Sequence, residues 1–174
     1  RTSICGATET ILCHKAIAKQ VLPNLLEKLL NAGCEVRGDN YLTSLSKKIK
    51  KASEQDWKKE YLDSIVSIKV VNSLNEAIKH INDYSSKHTD AIITNSTKNA
   101  KLFLTEIESA IVMHNTSTQF SDGAEFGLGA EIGISTGKLH ARGPVSTQEL
   151  TTYKYIVKGN GQLRQYIQIV YSII

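Results

Sequence analysis

The chain has 174 residues, 41% of them hydrophobic, which is enough to bury the core of one ordinary domain. Its 21 basic and 17 acidic residues leave a net charge of +4. The basic excess is densest at residues 47–51, where no aromatic residues are interleaved, so a solvated helix end or loop is favoured over a nucleic-acid patch. No apolar run reaches the roughly 18 residues that span a bilayer. Composition therefore predicts neither nucleic-acid nor membrane partners.

The cysteines indicate the redox compartment. Cys5, Cys13 and Cys34 are odd in number and lack disulfide-framework or zinc-ligand spacing. No apolar signal segment opens the chain. We therefore expect free thiols, no metal site and a cytoplasmic location.

The hydrophobic period changes several times in the first third of the chain. We expect Pro23 to kink the first helix or to mark a second start. The expected elements are a strand over 10–14, a helix from Lys15 closed at 31–33, a strand over 34–37, a weaker basic helix over 41–51 and an irregular stretch over 52–63 anchored by Trp57 and Tyr61.

Residues 64–114 alternate between strand and helix patterns. Ser73 followed by Glu76 is a capping box at the start of the first of these helices. The expected strands are 64–71, 89–94 and 110–114. This order predicts an α/β fold, a three-layer domain with a mainly parallel sheet.

The stretch 115–144 contains six glycines and no sustained periodicity. Loops of this length in compact domains tend to be functional, and this one leaves the carboxyl end of a predicted strand, where α/β sheets bind ligands. After it we expect one helical turn at 147–150, a strand over 152–158, a turn at 159–161 and an apolar strand in the tail 165–174.

Cys5 lies in a short run of small and polar residues directly before the first predicted strand. A thiol in such a turn can be presented to a ligand, and cysteine is the side chain most ready to act as a nucleophile at neutral pH. The alternative is a structural role, because a free cysteine is usually a small buried hydrophobe.

Five segments together resemble one family. They are CGATETILCH at 5–14, EYLD at 60–63, SSKHTDAIIT at 85–94, SDGAEFGLGAEIGISTGKLHARGP at 121–144 and LTTYKYIVKGNGQ at 150–162. The chain resembles the γ-glutamyl phosphate reductases, a branch of the aldehyde dehydrogenase superfamily, over about residues 1–164.

The resemblance implies an aldehyde dehydrogenase catalytic-domain-like fold over residues 1–150, with the N-terminal cofactor domain absent, and a C-terminal oligomerisation strand and tail over 151–174. It also implies a small-molecule substrate and a homo-oligomer. The alternative is a truncated, non-catalytic remnant that acts only as a folded binding or oligomerising module.

For chemistry, the resemblance implies NADPH-dependent reduction of γ-glutamyl phosphate to glutamate-5-semialdehyde, with Cys5 as the nucleophile that carries the acyl group. Glu60 would hold the nicotinamide ribose, although by itself it reads as an exposed acid. The implied substrate-binding residues are Asn115, Phe126, Gly129, His140 and Arg142. For His140 and Arg142 an equal alternative is that they hold the long loop through backbone carbonyls.

The chain departs from the family pattern at three places. Gly6 follows the cysteine where the family usually has asparagine, and Gln119 stands where the family commonly has arginine. Loss of a guanidinium near a substrate that carries phosphate and carboxylate would weaken its binding. The apolar tail beyond Arg164 is also unlike the family's end.

Overall fold

The computed structural model describes residues 2–164, so the strand expected over 165–174 lies outside the described residues. The strands are β1 (Thr10–His14), β2 (Glu35–Gly38), β3 (Lys50–Lys51), β4 (Ile65–Val71), β5 (Thr89–Ile92), β6 (Ile111–His114), β7 (Gly133–Ser135) and β8 (Gly143–Val145). The α-helices are α1 (Lys15–Asn31), α2 (Asn40–Leu45), α3 (Leu74–Tyr84) and α4 (Thr97–Glu106). Two 3-10 helices are Glu54–Lys58 and Thr118–Phe120.

The strands form three sheets. The largest is parallel throughout, in the order β1-β4-β2-β3, with Thr10 opposite Ser67 and Val36 opposite Val66. β5 and β6 pair in parallel, and β7 and β8 pair antiparallel. The predicted α/β class with mainly parallel strands is confirmed. The alternating stretch 64–114 is nevertheless divided, since β4 pairs with β1 and β2 and not with β5.

β4 separates two chemically different layers. Val66 and Ile68 lie on one face and pack in a core with Leu22 and Leu26 of α1. The alternate residues of β4 point the other way. There Ser67 meets the Tyr61 hydroxyl at 2.7 Å, and Lys69 meets His80 of α3 at 3.2 Å. The central strand is thus covered by α1 on one face and by α3 with the segment before β4 on the other.

A second, smaller core joins α3 and α4 to the β5–β6 pair. Ile78, Phe103 and Ile107 are buried there, with Ile92 and Val112 packed against them. This core places the carboxyl ends of β5 and β6 at the start of the glycine-rich loop.

Of the two alternatives for Pro23, the structure excludes the second start, because α1 runs through Pro23 as one helix. One local expectation further along the chain was wrong. The helix expected over 41–51 ends at Leu45, and the following turn brings Ile49 into the core at 5% exposure before β3. Burial of Ile49 overrides the helical preference of the basic run.

Among residues 2–164, none of the helices combines the length and the apolarity that a bilayer crossing requires.

Residues 151–164 are exposed throughout, and the strand predicted over 152–158 has no pairing partner within residues 2–164. Tyr153 is 77% exposed and Val157 is 92% exposed. A β-strand needs a neighbour to satisfy its backbone groups, and sequence alternation cannot supply one.

His80 is buried between aromatic side chains on the polar side of β4. Its ring centroid lies 5.3 Å from Trp57 and 4.6 Å from Tyr84. Its Nε2 has no hydrogen-bond partner among the described residues. Burial, and next the positive charge of Lys69, lower the pKa of His80 from 6.5 to about 4. The folded protein therefore holds this histidine neutral.

We expect the free energy of unfolding to fall as the pH drops from 6.5 to about 4. In that window the unfolded chain binds a proton at His80 that the folded chain excludes, at a cost of about 3 kcal/mol. Denaturant unfolding at several pH values measures the slope. His80→Gln should flatten it, whereas His140→Gln, at an exposed position, should not. An unchanged slope in His80→Gln would assign the acid sensitivity elsewhere.

Candidate active site

The turn that carries Cys5 is held against the second 3-10 helix. The Ala7 N–H donates to the Ile4 carbonyl at 3.0 Å, and the Thr118 hydroxyl donates to the Gly6 carbonyl at 2.7 Å. A Cβ at Gly6 would lie 2.8 Å from the Thr118 carbonyl oxygen. The departure to glycine at this position thus permits a close approach of the two loops. Cys5 itself is exposed.

Cys5 opens into a cleft of about 330 Å³ between these loops. The cleft is lined by Ile4, Cys5, Gly6, Gln119, Ser121, Asp122 and Glu131. Gln119 occupies the place where the resemblance leads one to expect arginine, so the lining contains no basic side chain. Two acidic residues, Asp122 and Glu131, line the same cleft as the thiol.

Both carboxylates are fixed by backbone N–H groups. Glu131 Oε2 accepts from the Gly123 N–H at 2.7 Å, and Asp122 Oδ1 accepts from the Ala124 N–H at 2.7 Å. A Cβ at Gly123 would lie 2.9 Å from the Glu131 Cβ, so glycine permits this contact. The loop therefore presents its acidic groups in defined positions.

Ser121 joins the cleft to β5 by a chain of hydrogen bonds. It is 4% exposed, and its hydroxyl bonds the Thr89 hydroxyl, which lies 2.8 Å from His88 Nδ1. Burial lowers the pKa of His88, against the opposing charges of Glu131, Glu60 and Asp90. The imidazole of His88 thus ends the series of hydrogen bonds that holds this wall of the cleft.

Thr89→Val should lower the free energy of unfolding by about 1–3 kcal/mol, because valine keeps the shape but leaves the buried Ser121 hydroxyl without its partner. It should also change the alkylation rate of Cys5, since Ser121 lines the same cleft. Thr105→Val, on the exposed side of α4, is the matched control and should stay within about 0.5 kcal/mol. Equal effects of the two variants would show that the hydrogen bonds from Ser121 through Thr89 to His88 do not contribute to stability.

The residue after Glu60 is bonded to the segment that follows the Cys5 turn. The Tyr61 N–H donates to Glu9 Oε1 at 3.0 Å, and Glu9 lies four residues after Cys5. Burial raises the pKa of Glu9, the bond from Tyr61 lowers it, and the charge of Glu60 raises it further. Within residues 2–164 the exposed Glu60 carboxylate makes no hydrogen bond, so its acceptors are free for a ligand.

Asn115 is occupied in the fold and does not line the Cys5 cleft. It has a positive φ of 54°, and its side-chain oxygen accepts from the Thr94 N–H at 2.8 Å while its amide donates to the Thr94 carbonyl at 3.0 Å. Its side chain thus extends the β5–β6 pairing by one residue. Asparagine suits this role because its short amide tolerates the left-handed region.

Phe126 and Gly129 lie on the turn that follows Asp122, outside the lining of the cleft. The Phe126 N–H donates to the Asp122 carbonyl at 3.1 Å, and the ring is 47% exposed. Gly129 has a φ of +80°, which favours glycine. Both residues therefore shape the loop that presents Asp122.

Of the two alternatives for Arg142, the structure shows the backbone contact. Its guanidinium donates to the Glu108 carbonyl, and Lys138 forms an ion pair with the Glu108 carboxylate. His140 is exposed between them. This part of the loop is attached to the segment before β6, and neither Arg142 nor His140 lines the cleft at Cys5.

Ser121, Asp122 and Glu131 line the cleft but were not among the residues predicted for the site. All three lie in the glycine-rich block already quoted, and the available signal was acidic side chains beside glycines that permit close backbone contact. Which of them faces the thiol depends on how 115–144 folds back onto the Cys5 turn.

The exposure of the thiols orders their expected reactivity. Cys5 is exposed, Cys34 is half-buried, and Cys13 is 5% exposed with its pKa raised by burial. We expect iodoacetamide to label Cys5 at least about ten times faster than Cys13, because alkylation requires an accessible thiolate. Mass spectrometry of partly labelled peptides ranks the three sites. Labelling of Cys13 as fast as Cys5 would contradict the closed core.

The described chain is thus a mainly parallel α/β protein with an exposed cysteine in the turn before its first strand. The aldehyde dehydrogenase family model matches residues 49–155, and the chain belongs to this family.

Among curated relatives, the chain is similar to γ-glutamyl phosphate reductases. It is 58% identical over 164 residues to that of Rhodospirillum rubrum and equally to that of Sphingopyxis alaskensis, covering 94% of this chain in each case. The chain spans 38% of the length of these relatives.

Solved structures agree. The γ-glutamyl phosphate reductase of Thermotoga maritima has a TM-score of 0.90 at 48% identity, covering 95% of this chain and 40% of that one. An acetylating aldehyde dehydrogenase from Geobacillus thermoglucosidasius is 13% identical with a TM-score of 0.69. The match covers 95% of this chain and 46% of the dehydrogenase chain. At that identity it shares the fold alone.

Proposed function

We propose that the chain supplies the cysteine-bearing catalytic domain of a γ-glutamyl phosphate reductase, which converts γ-glutamyl phosphate to glutamate-5-semialdehyde in proline biosynthesis. The observation that carries the proposal is the exposed thiol of Cys5 at the mouth of a cleft of about 330 Å³. The 58% identity to γ-glutamyl phosphate reductases supports this choice of substrate.

The first step is acyl transfer to Cys5. The thiolate attacks the acyl carbon, a C–S bond forms, the C–O bond to phosphate breaks, and inorganic phosphate leaves. A thiolate suits this step because it is a strong nucleophile near neutral pH. Within residues 2–164 the backbone N–H of Cys5 makes no hydrogen bond, so it is available to stabilise the negative charge that develops on the acyl oxygen.

NADPH, when bound, supplies the hydride that reduces the thioester. In this chain the free carboxylate of Glu60 fits a ribose hydroxyl, since it is exposed and acceptor-only. The sequence contains no glycine-rich dinucleotide fingerprint after an early strand. We propose that the chain alone accepts the acyl group but does not turn over, because hydride transfer needs the cofactor aligned on the thioester.

The acyl-transfer step can be tested directly. γ-Glutamyl phosphate generated in place from glutamate, ATP and a glutamate kinase is mixed with the chain, and the intact mass is measured after an acid quench. We expect an adduct of one glutamyl group on Cys5. Cys34→Ser should keep this adduct and Cys5→Ser should lose it. No adduct, or the same adduct in Cys5→Ser, would refute the proposal.

The expected lack of turnover has its own measurement. The same mixture with NADPH is followed by absorbance. Oxidation of NADPH by the wild-type chain should not exceed that by Cys5→Ser. Turnover well above that variant would show that this chain alone holds the cofactor productively.

We also propose a homo-oligomer in the cytoplasm, with residues 152–158 as the pairing strand. The proposed oligomer is supported by the exposure of Tyr155, Ile156 and Val157 at 83%, 70% and 92%. The proposed location is supported by the three free cysteines. Light scattering should show a dimer or larger species, and Ile156→Lys should reduce it to monomer. A strictly monomeric parent at high concentration would sink this part. An oligomer without Cys5 acylation would favour the non-catalytic module.

A further inference from the structure

We infer that Asp122 and Glu131 determine the selectivity of the Cys5 cleft, by favouring a reactant that carries a primary ammonium group. The inference rests on the proposed function only in taking Cys5 as the nucleophile. The site is defined by the thiol and its cleft, and the two carboxylates decide which reactants approach the sulfur.

The charge of the cleft is one-sided. Two of its seven lining residues are acidic and none is basic. The position where a family arginine is expected holds Gln119, which is neutral. Within residues 2–164 neither Asp122 nor Glu131 takes part in an ion pair, although five other ion pairs are formed. The two negative charges therefore lack a protein partner in the described chain.

Each carboxylate also keeps hydrogen-bonding capacity. Glu131 uses Oε2 for the Gly123 N–H and Asp122 uses Oδ1 for the Ala124 N–H, which leaves Oε1 and Oδ2 without a bond in the described chain. An ionised carboxylate only accepts hydrogen bonds, and an ammonium group only donates them, with three N–H bonds. Charge-assisted bonds of this type are about twice as strong as neutral ones.

The consequence is discrimination between reactants with and without an amino group. A γ-acyl derivative of an α-amino acid presents its ammonium group on the same short chain as the carbon that Cys5 attacks. An otherwise identical derivative without the amino group would leave both carboxylates unpaired. The acidic pair thus selects amino-acid acyl groups over simple dicarboxylic acyl groups, while phosphate and carboxylate must be held by other residues.

The test uses three methanethiosulfonates of similar size: 2-aminoethyl, which is cationic, ethyl, which is neutral, and 2-sulfonatoethyl, which is anionic. In each case the Cys5 thiolate attacks the sulfenyl sulfur, a disulfide forms and methanesulfinate leaves, so the chemistry is constant and no cofactor is needed. Peptide mass spectrometry reads Cys5 separately from Cys13 and Cys34. We expect the cationic reagent to react about tenfold faster than the neutral one, from one favourable contact of about 1.4 kcal/mol.

Asp122→Asn and Glu131→Gln should each lower the ratio of cationic to neutral rates, and the double variant should bring it to the ratio of a free cysteine. Glu125→Gln is the matched control, since Glu125 is exposed on the same loop but does not line the cleft. A general movement of the loop would also change the rate with the neutral reagent. The ratio of cationic to neutral rates therefore isolates the effect of charge.

An equal ratio in wild type and double variant, or a wild-type preference for the anionic reagent, would overturn the inference. Either result is distinguishable from failure of the proposed function, which is read by the glutamyl adduct on Cys5.

Discussion

Asp56→Ala should lower the free energy of unfolding by about 3–5 kcal/mol, the usual effect of removing one partner of a buried charge network. Asp56 is 5% exposed and accepts hydrogen bonds from the Arg37 guanidinium, from the Tyr61 hydroxyl at 3.0 Å and from the Ser53 backbone and hydroxyl. Removal leaves these donors without their acceptor. Equilibrium unfolding in denaturant gives the value.

The matched control is Asp83→Ala, which removes an exposed ion pair with Lys79 one helical turn away. It should change stability by no more than about 0.5 kcal/mol. A similar loss in both variants would show that burial of Asp56 adds nothing to the strength of its contacts.

The same network predicts a pH dependence. Burial would raise the pKa of Asp56, but the hydrogen bonds from Ser53, Arg37 and Tyr61 outweigh burial and hold it well below its usual range. A carboxyl whose pKa is depressed on folding contributes stability that is present above its unfolded pKa and lost as the pH falls. Asp56→Ala should therefore remove part of the acid sensitivity below about pH 4.

The network also reaches the candidate site. Tyr61, whose hydroxyl bonds Asp56 and Ser67, donates its backbone N–H to Glu9 after the Cys5 turn. Loss of Asp56 should therefore loosen the segment that positions Glu60. We expect the alkylation rate of Cys5 to change together with stability in Asp56→Ala, but not in Asp83→Ala.

Gly38→Ala should be destabilising by about 2–3 kcal/mol, because a methyl group has no room at the end of β2. A Cβ there would overlap the Leu42 side chain and lie 3.1 Å from Ile49 Cγ2. Leu42 is fully buried and Ile49 is 5% exposed, so neither can move aside into solvent. The thermal midpoint and denaturant unfolding report the loss.

Gly133→Ala is the matched control within a strand. A Cβ at Gly133 would meet nothing within 4 Å, and its φ is not in the left-handed region. We expect a change within about 0.5 kcal/mol. If Gly38→Ala destabilised the protein no more than this control, the result would show that the turn between α2 and β3 can shift to make room for the methyl group.

The local elements followed from the sequence because their signals are short-range. The 3.6-residue apolar period located α1, and Ser73 with Glu76 marked the start of α3, where Ser73 accepts from the Glu76 N–H at 3.1 Å. The strand patterns expected over 64–71, 89–94 and 110–114 located β4, β5 and β6. Each of these patterns depends on contacts within a few residues, which sequence spacing describes directly.

Other features depend on what lies opposite in space. Ile49 lies outside a helix, contrary to expectation, because it packs in the core with Val36 and Leu42. Residues 152–158 have the alternation of a strand but no neighbour in the described chain. Whether a segment forms a β-strand depends on the strand that pairs with it, so alternation alone could not predict a formed strand at 152–158.

The sequence by itself determined the family resemblance and the cysteine at its centre, since motif and residue type suffice for both. The tertiary structure alone decided what surrounds the thiol. Asp122 and Glu131 lie more than a hundred residues after Cys5, and they line the same cleft because part of 115–144 folds back onto the Cys5 turn, where Gly6 permits contact with Thr118. Asn115 and Arg142, from the same loop, are instead bonded to backbone groups of Thr94 and Glu108. Distances across a fold are set by the packing of all its elements together, and a linear sequence shows only its neighbours along the chain.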